Sequence, residues 1–168
     1  FGMAPGCMDS MVNKYTANRR LRSEDAYSPD GRHDCRPEYP TIVYTQILKQ
    51  LFPDVPVVLG GIEASMRRLT HYDYWKDKLM KCILCDSKAD IIIYGMGEKP
   101  IEEIAHKLND GLRINQLTDI PQTVYLSRKE DIPKTCGILK RSRTRFMHHA
   151  CCRQLTVYMP LSIRHILS

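Results

Sequence analysis

Val55–Ser65 reads VPVVLGGIEAS and Ala89–Pro100 reads ADIIIYGMGEKP, and the two stretches share one construction. A short run of β-branched residues stops at a glycine pair or at glycine-x-glycine, and a polar, helix-starting stretch follows. That is how a buried parallel strand feeds a tight turn and a crossover helix, with glycine where the backbone bends sharply or lets another group approach. Ligands of open α/β sheets bind at the carboxyl ends of the strands, so Gly60, Gly61, Gly95, Gly97 and Glu98 are expected on one rim.

Outward from these units, Pro40–Phe52 predicts a helix with proline in its first turn and a stripe of Ile42, Val43, Ile47, Leu48 and Leu51, stopped by Pro53. A short helix is expected over Ile62–Leu69, another over Tyr72–Leu84 around Trp75, Leu79 and Ile83, and a third over Pro100–Leu108, closed by Gly111. Thr123–Leu126 predicts a last short strand. At the start, Phe1-Gly2 suits the end of a strand. Gly6–Ser10 then suits a strand-to-helix loop, and Met8, Met11, Val12 and Tyr15 recur at helical spacing. Asn18–Pro40 carries Arg19, Arg20, Arg22, Arg32 and Arg36 without apolar period, and predicts a long polar loop. The fold class is α/β: an incomplete flavodoxin-like or Rossmann-like parallel sheet with crossover helices.

The 168 residues suit one domain with a proper core, and 43% hydrophobic content is ordinary for a globular protein. No apolar run approaches the roughly 20 residues that span a bilayer, and no signal-peptide pattern opens the chain, so a cytosolic protein without a membrane partner is expected. Seven cysteines without an even framework agree with a reducing compartment. The net charge of +6 is unevenly spread: residues 1–133 hold 18 Lys+Arg against 19 Asp+Glu, whereas 134–168 hold seven Lys+Arg and no acid. Such a change marks a domain end or a foreign segment, so residues 1–133 are expected to form the domain and 134–168 a disordered or non-native basic tail.

Several constellations could carry chemistry, and each has a structural counterpart. Backbone N–H groups after Gly60-Gly61 could hold a phosphate or cofactor tail; paired glycines also simply permit a tight turn. Glu63 and Glu98 follow their glycines and would also favour a helix N-terminus by charge alone. Residues 65–77 (SMRRLTHYDYWKD) are the densest polar and aromatic cluster. There Arg67 and Arg68 supply anion-binding forks, and His71, Tyr72 and Asp73 a titrating group, a phenol and a carboxylate. A pocket and a buried aromatic cluster with Arg–Asp pairing are both consistent with it. Cys82 and Cys85 have the spacing of half a metal site without a second pair, and Cys151-Cys152 beside His148-His149 lies in a segment without a legible fold. No metal ligands are assigned.

The motifs in order are more specific than any one of them. Met8-Asp9-Ser10-Met11-Val12, Asp25-Ala26-Tyr27-Ser28-Pro29, Gly60-Gly61-Ile62-Glu63-Ala64-Ser65, His71-Tyr72-Asp73-Tyr74-Trp75, Asp86-Ser87-Lys88-Ala89-Asp90 and Tyr94-Gly95-Met96-Gly97-Glu98-Lys99-Pro100 closely resemble the amino-terminal domain of the YgiQ-type radical SAM proteins. The likeness runs from Phe1 to about Pro133. It implies a flavodoxin-like, cobalamin-binding-type domain preceding a radical SAM barrel in the same chain, and a bacterial cytosolic protein that binds a [4Fe–4S] cluster and S-adenosylmethionine and acts on an unknown substrate. It also implies that the domain's first two βα units lie upstream of Phe1. The family's Cys-x3-Cys-x2-Cys signature occurs nowhere in this sequence, so this chain alone is expected to be inactive. The Asp-x-His-x-x-Gly motif that supplies a histidine to cobalt is absent too, which predicts no cobalamin. Two other readings stay open: a non-enzymatic module binding RNA or another polyanion through its arginines, and a non-functional gene fragment.

Overall fold

The computed structural model describes residues 1–128 and 155–158. Its main sheet has five strands in the order β1 (Gly2–Met3), β2 (Val58–Leu59), β5 (Ile91–Ile93), β6 (Thr123–Arg128), β7 (Leu155–Tyr158). The first three are parallel, with Gly2 opposite Val58 and Leu59 opposite Ile92. β6 then runs antiparallel to β5, and β7 antiparallel to β6. The architecture is α/β, an incomplete flavodoxin-like sheet with an antiparallel side. β7 falls within the segment expected to be a disordered or foreign tail; the rest of that segment lies outside the described residues.

Alternation along the strands divides the core between two faces, as the period of two requires. Val57, Leu59, Ile92 and Val124 bury on one face with Ile83 and Leu84 of α4 (Ile83–Ser87), while Ile42 and Leu48 of α2 (Pro40–Leu51) pack against them. Val58, Ile91, Ile93 and Tyr125 bury on the other, beneath Ile104 of α5 (Glu98–Asn109) and Leu117 and Ile120. Helices thus cover both faces, and the all-isoleucine β5 is buried throughout because each face has a cover. Asp90, just before β5, accepts from the Val57 backbone N–H at 2.7 Å and from Lys49 of α2 at 2.6 Å. One carboxylate therefore joins two strands and a helix. α5 stops where expected: Gly111 takes φ 86° and donates to the Leu108 carbonyl.

Three expectations are corrected by packing. Tyr72–Leu84 is not one helix but an antiparallel hairpin, β3 (His71–Asp73) with β4 (Lys78–Met80), followed by α4. The Asp73 carboxylate accepts from the Lys76 backbone N–H and Asp77 takes φ 51°, which turns the chain before a helix forms. The stripe on α1 (Ser10–Lys14) fails as well: Met11 is buried, but Met8 and Val12 are exposed, and Ser10 and Asn13 turn inward to carboxylates. On α2 the buried line includes Thr41 and Thr45, leaving Ile47 and Leu51 exposed. Asn18–Pro40 is the expected polar loop, shaped by bridges between Tyr15 and Leu21 and between Glu24 and Arg32.

Candidate functional site

The three parallel strands deliver their following loops to one side, where they enclose a cleft of about 540 Å³. Its lining includes Gly60, Gly61, Gly95, Gly97 and Glu98, together with Met3, Leu59, Ile93 and Ile101. The glycines differ in role. Gly61 opens α3 (Gly61–Met66) at φ 80°, and a Cβ there would lie 3.3 Å from the Gly6 carbonyl oxygen. It therefore serves the loop that crosses from β1. Gly60 is extended at φ −143°, and a Cβ there would meet no atom within 4 Å. Packing within the described residues explains Gly61 and leaves Gly60 facing open space. Glu98 is the sole charged residue in the described lining, which holds no lysine or arginine. Among the described residues a phosphate there would meet an acid and no cationic side chain.

Glu63 and Arg67 belong to the interior. Arg67 is buried, and its two terminal nitrogens donate to the two oxygens of Asp9, the residue that caps α1 by accepting from the Met11 and Val12 backbone N–H groups. Ser10 donates to Glu63 Oε2, and Glu63 is fully buried. These contacts tie the loop after β1 to both ends of α3. Arg68 donates to the Ser65 carbonyl and lies over the Tyr94 ring, 5.0 Å from its centroid.

His71 and Asp73 ride on the separate hairpin and line a cavity of about 20 Å³ with Tyr39, Arg67 and Lys76. Tyr39 donates to Asp73 Oδ2 at 2.6 Å. Burial, then this bond and the charge of Asp73, push the Tyr39 phenol well above its ordinary range. Burial would raise the Asp73 carboxyl, but the Tyr39 hydroxyl, the Lys76 N–H and the nearby Arg67 and Lys76 charges win and lower it. Tyr72 is exposed and donates to Asp77. The expected rim thus resolves into a glycine cleft with Glu98, an interior network with Glu63 and Arg67, and a hairpin with His71, Tyr72 and Asp73.

A groove of about 830 Å³ lies along the arginine-rich loop. Beneath it Asp25 accepts from Asn13 at 2.6 Å, Arg36 at 3.0 Å and Ser28 at 3.0 Å. Most of the arginines there are already engaged: Arg22 donates to the Val12 and Tyr15 carbonyls, and Arg19 lies 4.5 Å from the centroid of the Tyr74 ring. Cys82 is buried and donates to the Arg68 carbonyl. No group of three His, Cys, Asp or Glu side chains converges as for a metal among the described residues. None of their helices is long and apolar enough to cross a membrane.

Sequence reasoning missed Asp9, Asp25 and Tyr39 as organising residues. Asp9 had a legible signal, an acid directly before a helical stretch; the other two act through partners distant in the chain.

Fold and cleft together define an open α/β domain with a glycine-lined mouth at the carboxyl ends of its parallel strands. The family model described as radical SAM N-terminal matches residues 1–159, and the chain belongs to that family. It is similar to the UPF0313 protein of Porphyromonas gingivalis, 62% identical over 151 residues covering 90% of this chain and 23% of that protein. It is also similar to the UPF0313 protein of Bacteroides thetaiotaomicron, 63% identical over 76% of this chain and 22% of that one, and to the UPF0313 protein YgiQ of Escherichia coli, 50% identical over 82% and 18%. The chain therefore spans less than a quarter of the length of the curated relatives it matches. No solved structure matches.

Proposed function

We propose that this chain is the N-terminal domain of a cytoplasmic radical SAM enzyme, and that the [4Fe–4S] cluster and S-adenosylmethionine are held by a domain that follows it. One observation carries the reading: a family match over residues 1–159 in a sequence that contains no Cys-x3-Cys-x2-Cys. Among the described residues no set of cysteines fits such a cluster, since Cys82 is inside the core and Cys7 and Cys35 are exposed on loops. On this reading the cluster's three thiolates, which leave one iron open for S-adenosylmethionine, come from the domain that follows. The chain's own part is a platform: a sheet whose glycine loops and Glu98 form one face, backed by the rigid Asp9–Arg67 and Ser10–Glu63 ties. The reading leaves out cobalamin, because the glycine cleft has no histidine in its described lining and His71 lies by Tyr39.

Anaerobic reconstitution tests it. The full-length P. gingivalis relative should take up iron and sulfide and develop visible thiolate-to-iron absorbance, while this chain should take up neither. Cluster binding by this chain, lost on replacing Cys82 and Cys85, would falsify the proposal. A polyanion-binding role would instead give RNA affinity falling steeply with salt, and the arginines already held by carbonyls and rings count against it.

A further inference from the structure

Beside the glycines of the cleft stand large apolar side chains left well exposed among the described residues: Met96 is 76% exposed, Ile62, next to Gly61, 45% and Ile101 43%. Met96 tops the turn between Gly95 and Gly97, and Ile101 lines the cleft itself. Apolar groups gathered around a concave mouth mark an interaction surface, and methionine is the side chain that adapts most readily to a partner. The described lining favours an apolar occupant over an anion, since its single charge is negative. Gly60 keeps the floor open although neither its φ nor a neighbouring atom demands glycine.

The topology says what reaches this face. β7 is antiparallel to β6, which is antiparallel to β5, so β7 runs in the direction of the three parallel strands. Its last residue, Tyr158, is in register with Tyr125, which faces Ile91, two positions short of Ile93 at the end of β5. The longer relatives have more than three quarters of their length outside the matched segment, and the matching family model describes an N-terminal domain. We propose that the glycine cleft and its rim of Met96, Ile62 and Ile101 are the seat of the domain that follows this one in the full-length protein. That domain buries an apolar surface here and closes the cleft. The inference rests on reading this chain as the N-terminal domain of a longer protein.

The test uses the full-length P. gingivalis relative carrying residues 1–159 of this chain in place of its own matching segment. Hydrogen exchange is followed across the whole protein. With the native rim, amides of residues 60–66 and 95–101 should exchange about tenfold or more slowly than in Met96→Asp, Ile62→Asp or Gly60→Leu forms, in which a segment of the following domain should lose protection in step. Residues 91–93 should stay protected in every form, which separates undocking from unfolding, and Ile47→Asp, on α2 away from the rim, should change nothing. Rim amides that exchange freely in the native form, or rim variants without effect, overturn the proposal. So does protection that appears only on adding S-adenosylmethionine, which would make the cleft a ligand site. Iron content of the same samples reads the radical SAM assignment separately: docking without a cluster sinks that assignment alone, and a cluster without docking sinks this one.

Discussion

Arg67 reaches from the end of α3 to Asp9 at the head of α1, and both terminal guanidinium nitrogens meet the carboxylate in a buried setting. The contact holds the loop that follows β1 against the helix that follows β2, so two rim loops move as one body. Breaking a buried pair from one side leaves the other charge unpaired, which costs about 3–5 kcal/mol. Arg67→Met and Asp9→Asn should each destabilise the chain by that order. The double variant should cost less than the two singles added, because it leaves no orphan charge. Urea unfolding followed by the single tryptophan, Trp75, reads both quantities, and strict additivity would remove the pair from any account of the rim.

Acid should loosen the arginine-rich loop through Asp25. Burial raises its carboxyl, but the Tyr27 backbone N–H, Arg36, Asn13 and Ser28 outweigh that and lower it from an ordinary 3.8 to about 2. A depressed carboxyl stabilises the fold fully above its unfolded pKa and loses that contribution as pH falls through the folded one. The contribution, on the order of 2 kcal/mol, should therefore be intact at pH 5 and disappear between pH about 4 and about 2. Urea midpoints of the native chain and of Asp25→Asn, measured across that window, should converge at its acid end; parallel curves would deny Asp25 the role.

The strands β2, β5 and β6, both glycine turns, α2 and α5 were legible because each is decided locally, by a β-branched run, a proline at a first turn or a closing glycine; β7 was not, since it lies in a stretch whose basic, acid-free composition pointed to a tail. The convergence of Gly60, Gly61, Gly95, Gly97 and Glu98 was legible for the same reason, since parallel strands send their following loops to one side. The hairpin over 71–80 was not, because its apolar residues fit a helical spacing while the turn is set by a side-chain contact from Asp73 to the backbone of Lys76. Nor was the division of Glu63 and Arg67 from Glu98: comparable offsets from a glycine say nothing about whether an acid will meet Ser10 in the core or stand at the mouth of a cleft.

Association of the isolated chain should depend on a second surface. Phe1 and Phe52 rings lie 5.3 Å apart at the β1 edge, and Leu51 and Ile47 are 66% and 45% exposed nearby on α2. β1 pairs on one side only among the described strands, so an apolar patch adjoins an open backbone edge. Leu51→Lys with Phe52→Glu should raise the concentration at which light scattering sets in, with little change in urea midpoint, since neither side chain is buried. Unchanged scattering would place the association elsewhere.

Gly60 and Gly61 adjoin in sequence yet should answer oppositely to a methyl group. At Gly61, φ 80° is a conformation that costs an alanine about 1–2 kcal/mol, and the new Cβ would sit 3.3 Å from the Gly6 carbonyl and 3.6 Å from the Ala4 Cβ. Gly61→Ala should lower stability by at least that amount, and Gly61→Val by more, because the branched chain must displace the loop carrying Gly6. At Gly60 the backbone is extended and the added atom has no neighbour, so Gly60→Ala should leave the isolated chain's stability within about 0.5 kcal/mol, the ordinary range for an unobstructed site. The comparison separates two reasons for a glycine, one internal to the domain and one that belongs to whatever occupies the cleft. A large loss from Gly60→Ala in urea unfolding of the isolated chain would assign both glycines to the turn and deprive the cleft of its open floor.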